Sequence, residues 1–106
     1  LYGYLYLVGW SYLKLGNLNK TLEIFHETLK YCDNKPDLLQ GTYYMVGTVY
    51  GDLGKQRIAL EYFKKSLKYT QELGDTIKLA IAYREIGKTY LKLNDINAEE
   101  NAKYLN

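Results

Sequence analysis

Three basic residues could carry binding chemistry, because Arg84, Lys88 and Lys92 recur at steps of four residues. That spacing places them on one face of a helix, where like charges cost about 0.2–0.5 kcal/mol per pair. Helix stability alone therefore does not explain them, and the strip predicts a contact with a carboxylate or phosphate group of a ligand. The alternative is a solvated face that nearby acidic residues neutralise: Asp52, Glu85 and Asp95.

Residue types that perform catalysis are sparse. The single histidine, His26, stands beside Glu27 and is predicted to be a solvated surface residue. The glycines in 47–51 fall inside a predicted helix, whereas a phosphate-binding loop requires a strand-to-helix turn. No cluster of residues has metal-ligand spacing. We therefore expect a protein that is not an enzyme and that binds no cofactor or metal.

Composition indicates a folded chain with no strong charge bias. The 106 residues carry 14 basic and 12 acidic side chains, largely interspersed, for a net charge of +2. This balance disfavours a nucleic-acid partner, which would need many phosphates neutralised. The single cysteine, Cys32, cannot form an internal disulfide, and this favours a cytoplasmic location.

The uncharged opening stretch is not expected to enter a membrane. It runs from Leu1 to Leu13 and gives way to Lys14, well short of the about 18–20 apolar residues that a span requires. The chain also opens in mid-pattern without a methionine, as expected for a piece of a longer protein.

An internal repeat is visible in the chain. Residues 21–31 align with residues 59–69 at a spacing of 38, and six of the eleven positions are identical. The same spacing relates upstream pairs, and a spacing of 40 extends the pattern to a third copy: Val8-Gly9, Val46-Gly47 and Ile86-Gly87, and Leu15-Gly16, Leu53-Gly54 and Leu93-Asn94. A fixed period of this length is typical of stacked repeats.

Each copy has the apolar spacing of two helices. Phe25 and Phe63 are predicted to plug the hairpins from the second helix. A mid-helix glycine costs about 1 kcal/mol relative to alanine. Gly9, Gly47 and Gly87 therefore predict close approach of the partner helix's backbone.

Capping signals define the predicted helix ends. Gly16 and Gly54 fit left-handed C-terminal caps, and Asn94 is the next-best residue for that geometry. Asp37 with Gln40 resembles a capping box. Asp75 and Asp95 are also predicted N-caps. The predicted helices are 2–15, 18–32, 38–53, 55–73, 76–93 and 96–105.

The order of Leu15-Gly16, Leu53-Gly54, Ala59 and Phe63 resembles the tetratricopeptide repeat, over essentially the whole chain. The resemblance implies an all-α protein, a right-handed α-solenoid of three antiparallel helical hairpins forming one domain, with repeats at 2–36, 37–74 and 75–106. The spacing of 38–40 exceeds the usual 34 and resembles that of bacterial peptide-pheromone receptors and some eukaryotic adaptor proteins.

The resemblance also implies a concave groove, lined by the first helix of each hairpin, in which ligands lie. Positions one step past the packing residues mark this face, and they are the candidate binding residues: Tyr6, Trp10, Lys14, Tyr44, Thr48, Asp52, Arg84, Lys88 and Lys92. Tyrosine, tryptophan and arginine are frequent binding anchors. Trp10 has an equally weighted alternative role, covering the exposed end of the stack.

The leading functional hypothesis is a scaffold that binds a protein or peptide, whose ligand carries an acidic group. One alternative is the sensor segment of a larger bacterial regulator. Another is self-association through exposed hairpin ends, where Leu5, Val8 and Tyr12 have no preceding hairpin to pack against. Residues 96–105 keep only a thin apolar stripe of Ala98, Ala102 and Leu105, as expected for either a cap or a truncated repeat.

Overall fold

The computed structural model describes residues 1–105, with side chains described for residues 1–97 and 99. Five helices follow one another: α1 (Tyr2–Lys14), α2 (Leu18–Leu29), α3 (Pro36–Asp52), α4 (Gln56–Leu73) and α5 (Thr76–Leu105). Each helix packs against the next along the chain. Between residues 1 and 105 no residue lies in a β-strand. The predicted fold class, an all-α helical solenoid, is confirmed.

Two glycine turns close the first two hairpins as predicted. Gly16 and Gly54 both have φ of +80°, a conformation that side chains with a Cβ rarely adopt. The N–H of Asn17 donates to the Tyr12 carbonyl at 3.0 Å, and Lys55 donates to Tyr50 at 2.9 Å. These bonds satisfy carbonyls that the helix ends leave free.

Helix starts agree only partly with the predicted caps. The Asp75 carboxylate accepts from the Lys78 N–H at 3.1 Å, which confirms that N-cap. The predicted capping box at Asp37 is wrong, because α3 begins one residue earlier at Pro36. Proline suits the first helical position, since its missing N–H would have no partner there.

The predicted break at residues 94–95 does not occur, so the structure has five helices where six were expected. Asp95 lies inside α5 and is not an N-cap. Asn94 is not a glycine, so it tolerates a turn without imposing one. Contacts with the start of α4 also favour α5 as one continuous helix. The Arg57 guanidinium donates to the Asn97 side-chain oxygen at 3.2 Å. The predicted stripe of Ala98, Ala102 and Leu105 lies outside the residues whose side chains are described.

The core of each complete hairpin is a phenylalanine ring seated on a glycine. A Cβ added at Gly9 would lie 3.1 Å from Phe25 Cζ, and one added at Gly47 would lie 2.8 Å from Phe63 Cδ1. The mid-helix glycines therefore admit an aromatic side chain, and not the partner backbone that the sequence predicted. Around Gly87, by contrast, an added Cβ meets nothing within 4 Å among the described atoms.

Buried hydroxyl groups are satisfied within the helices. Threonine side chains on α2 to α5 donate to the carbonyl four residues earlier at 2.7–2.8 Å: Thr21, Thr28, Thr42, Thr70 and Thr89. Ser66 instead donates from α4 to the Gln40 carbonyl of α3 at 2.9 Å. Because a buried unpaired hydroxyl is costly, these bonds let polar residues occupy the core.

The exposed residues at the α1 end are not the predicted ones. Leu5, Val8 and Tyr12 are half-buried, whereas Leu1, Tyr4, Leu7 and Leu15 are 68–79% exposed. The exposed face of α1 is therefore rotated from the predicted stripe toward these four residues.

We expect alanine at the two glycines to have opposite effects on stability. Gly47→Ala should lower the free energy of unfolding by about 1–2 kcal/mol, because overpacking against Phe63 outweighs the gain in helix propensity. Gly87→Ala should raise it by about 0.5–1 kcal/mol, because the added methyl group meets open space. Urea denaturation at low protein concentration measures both changes, and equal effects would contradict the assignment of Phe63 to the Gly47 notch.

Candidate functional site

Alternate helices α1, α3 and α5 line one side of the stack and enclose a cavity of about 420 Å³. Its wall is mainly aromatic and apolar: Tyr2, Tyr6, Tyr44, Met45, Ile81 and Ala82. Asp37, Gln40 and Lys78 add polar groups at its edge. We call this space the aromatic cavity. Ligand sites commonly combine an apolar wall with a few polar groups in this way.

The core phenylalanines position the tyrosines of this cavity. The Tyr6 ring meets Phe25 edge-on, with ring centroids 5.5 Å apart, and the Tyr44 ring lies 5.9 Å from Phe63. Tyr2 extends the series, with its ring 5.7 Å from that of Tyr6. Each ring that fills a glycine notch thus also supports a groove tyrosine.

A second, polar cavity of about 260 Å³ lies between α3 and α5, with Gln56 and Phe63 of α4 in its wall. Tyr44 lines both cavities, so the two spaces adjoin. The side chains that line this second cavity include lysines, carboxylates and neutral hydrogen-bonding groups: Thr48, Asp52, Gln56, Glu85, Lys88, Thr89 and Lys92. We call it the polar cavity.

Glu85 partly neutralises the cationic strip. Its carboxylate lies 3.4 Å from the Arg84 guanidinium and 3.8 Å from the Lys88 ammonium, and its side chain is 18% exposed. Three acidic residues were expected to neutralise the strip if it is only a solvated face, and Glu85 is one of them that does pair with it. The two cations are more than half exposed, at 63% and 57%, so both remain accessible from solvent.

The predicted binding residues divide between the cavities and the surface outside them. Tyr6 lies in the aromatic cavity, Tyr44 in both, and four residues in the polar cavity: Thr48, Asp52, Lys88 and Lys92. Trp10 and Lys14 line neither cavity. They pack on each other, with the Lys14 ammonium 4.6 Å from the Trp10 ring centroid. Arg84 also lies outside, beside Glu85.

Three polar or aromatic residues that line the aromatic cavity were not among the predicted binding residues. Tyr2, Gln40 and Lys78 each precede the predicted positions on their helices by about one turn or more, and all three line the aromatic cavity. The signal was present in the four-residue step from Tyr6 back to Tyr2 and from Tyr44 back to Gln40. Ile81 follows Gly41, another lining residue, by the 40-residue spacing of the repeat, whereas Ala82 follows Thr42, which does not line the cavity.

His26 is packed among aromatic rings, and the prediction of a solvated surface residue is wrong. Its ring lies edge-on to Tyr50 and Tyr62, with centroids 6.4 and 6.1 Å away, and its Nε2 lies 3.4 Å from the Tyr50 hydroxyl. It belongs to the packing of α2 on α3 and α4.

Within the described part of the chain, no three His, Cys, Asp or Glu side chains are grouped as metal ligands would be. None of its helices combines the length and apolarity that crossing a membrane demands.

The hairpin formed by α3 and α4 carries the full arrangement of notch glycine, core phenylalanine and groove tyrosine. The family model for the tetratricopeptide repeat matches residues 41–73, which lie in this hairpin. This hairpin is a tetratricopeptide repeat. Members of the family generally act as non-catalytic scaffolds in protein–protein interaction, and this is the class of function that the assignment supports.

A solved structure extends the likeness beyond this one repeat. The chain is similar to the solution NMR structure of a tetratricopeptide repeat domain protein from Salinibacter ruber, with 25% sequence identity and a TM-score of 0.66. The match covers 79% of this chain and 81% of the other. Among curated proteins, none matches this sequence.

Burial raises the pKa of the groove phenols above the ordinary value for tyrosine. Burial is the main cause for Tyr2, Tyr6 and Tyr44. The negative charge of Glu85 raises the pKa of Tyr44 further, while Arg84 and a hydrogen bond with Thr48 oppose this increase. Each phenol therefore keeps its proton in the folded state at a pH where the unfolded chain has begun to lose it.

The chain should consequently lose stability in alkaline solution. As pH rises through the ordinary tyrosine pKa of 10.0, the unfolded state releases protons that the folded state retains, so the free energy of unfolding falls. Tyr6→Phe and Tyr44→Phe should each make this fall shallower. Urea denaturation across the alkaline range measures the slope, and identical slopes in both variants and the original chain would contradict the expectation.

Proposed function

We propose that this chain binds a peptide segment of a partner protein in the groove that α1, α3 and α5 form. The observation that carries the proposal is the pair of adjoining cavities that share Tyr44, one aromatic and one polar. A single extended ligand can place an apolar side chain in the first and a polar or charged group in the second. The family's general role in protein–protein interaction supports this proposal.

The aromatic cavity is the proposed anchor. Tyrosine side chains offer a large contact area with only two rotatable bonds, so little conformational entropy is lost when they bind. Tyr6 and Tyr44 are further restrained by their contacts with Phe25 and Phe63. A cavity of about 420 Å³ is large enough for an aromatic or branched aliphatic side chain.

The polar cavity is the proposed site for an acidic group. Lys88 and Lys92 lie one helical turn apart on its α5 wall, and Thr48 and Thr89 add hydroxyl groups. Glu85 is the internal competitor for Lys88, at 3.8 Å. Because the Lys88 side chain is 57% exposed, a ligand carboxylate can approach its ammonium from the solvent side while Glu85 stays in place.

Self-association through the ends of the stack is a second proposal for the same chain. It is supported by the exposed apolar residues of α1, which include Leu1, Tyr4 and Leu7, and of α5, which include Ile77 and Leu91. Exposed apolar side chains of this kind can form protein contacts.

A random peptide library displayed on phage and selected on the immobilised chain tests the groove proposal. Sequences that combine an aromatic or aliphatic residue with an acidic residue should be enriched. Parallel selection on the Tyr44→Ala variant should remove that enrichment, because Tyr44 lines both cavities. Enrichment of the same sequences on both proteins would place the binding surface elsewhere.

Charge reversal should then weaken binding of one synthetic peptide from the enriched set. Lys88→Glu and Lys92→Glu should each raise its dissociation constant about tenfold, and binding should become less dependent on salt. Lys30→Glu is the matched control, because it makes the same charge change at the C-cap of α2, and Lys30 lines neither cavity. Isothermal titration calorimetry measures all three, and equal losses would show that net charge alone governs binding.

A further inference from the structure

Gly41 is a glycine inside α3 that the packing of the described residues does not require. Glycine is less favourable than alanine within a helix. Gly9 and Gly47 each make room for a phenylalanine ring, whereas a Cβ added at Gly41 would meet nothing within 4 Å among the described atoms. The backbone at Gly41 is helical, so no left-handed turn requires glycine there either. The reason for this glycine therefore lies outside the internal contacts of the described chain.

Gly41 forms part of the wall of the aromatic cavity. This cavity lies where α1, α3 and α5 begin, and every residue that lines it has a described side chain or is glycine. An added Cβ at Gly41 would occupy open space at this wall. The missing side chain therefore enlarges the space that is available to a ligand.

The three copies of the repeat differ at this position. Gly3 precedes Gly41 by 38 residues, and Ile81 follows it by 40. Ile81 lines the aromatic cavity together with Gly41, whereas Gly3 is exposed and lines neither cavity. The same repeat position thus leaves space on α3 and supplies an apolar side chain on α5.

The size and the wall of the aromatic cavity favour a ring over a branched aliphatic group. An apolar cavity of about 150 Å³ already accommodates a benzene ring. The aromatic cavity measures about 420 Å³. Its wall includes the rings of Tyr2, Tyr6 and Tyr44 and the thioether of Met45, all of which make favourable contacts with a further ring.

The charges at the edge of the cavity also suit a ring. Asp37 and Lys78 lie there, and neither forms an ion pair with another described residue. An aromatic ring has a negative face that attracts an ammonium group and a positive edge that attracts a carboxylate. Lysine already contacts a ring in this way within the chain, since the Lys14 ammonium lies 4.6 Å from the Trp10 ring centroid. An aliphatic side chain offers neither attraction.

We propose that Gly41 determines the specificity of the groove by leaving room in the aromatic cavity for a planar aromatic side chain of the bound peptide. The inference rests on the proposed function and narrows its ligand from an aromatic or branched aliphatic anchor to an aromatic one. Gly41→Ala should stabilise the chain and weaken binding of the aromatic anchor. These opposite effects would not arise if Gly41 served only the packing of α3.

Parallel selections of a random peptide library on phage test the proposal, with the original chain and the Gly41→Ala and Gly3→Ala variants immobilised separately. The enriched sequences from the original chain should contain more aromatic than aliphatic residues. Their ratio should fall about tenfold on Gly41→Ala, because one methyl group takes space from the ring. Gly3→Ala is the matched control, since it makes the same change at the same repeat position, also in open space and outside both cavities. Its ratio should equal that of the original chain.

Urea denaturation of the same three proteins separates binding from folding. The unfolding midpoint of Gly41→Ala should be higher than that of the original chain. A lower midpoint, with equal loss of every class of peptide, would assign Gly41 to packing and overturn the inference. Aliphatic enrichment on the original chain, or an unchanged ratio on Gly41→Ala, would overturn the role of Gly41 and leave the groove proposal standing. Enrichment of no peptide on the original chain would overturn the proposed function and this inference with it.

Discussion

The seating of a phenylalanine ring on a mid-helix glycine is the contact on which the other features of this structure depend. Glycine costs about 1 kcal/mol inside a helix, and here it admits a ring at a distance that a Cβ would not allow. The contact fixes how closely α1 approaches α2 and how closely α3 approaches α4. It also supports Tyr6 and Tyr44 from behind, so the core contact determines the shape of the groove.

The consequence of losing the contact is visible in the same chain. The third copy of the repeat has the glycine but no phenylalanine, and Arg84 stands where the earlier copies have a groove tyrosine. There α5 continues past Asn94 without turning, held by contacts such as that between Arg57 and Asn97. The aromatic character of the groove accordingly gives way to charge along α5, which produces an aromatic cavity and a polar cavity side by side.

The two complete hairpins were predictable from the sequence because local signals and repeat spacing agreed there. Gly16 and Gly54 have the left-handed conformation that their positions required. The sequence failed at Asn94, because a residue that tolerates a turn does not impose one, and the packing of α5 along α4 decided the outcome. Groove residues at predicted helix steps could be identified, whereas Ala82 depends on how α5 lies across α3, which no local pattern encodes.

In a stack of helical repeats each helix is stabilised mainly by its immediate neighbours. Here α5 packs on α4 and contributes Ile81, Ala82, Lys88 and Lys92 to the groove. A peptide in the proposed groove would contact α3 and α5 at the same time, so it would favour the packed position of α5. A change that stabilises the packing of α5 on α4 would therefore strengthen peptide binding, by the reciprocity that links any two events sharing one conformational equilibrium.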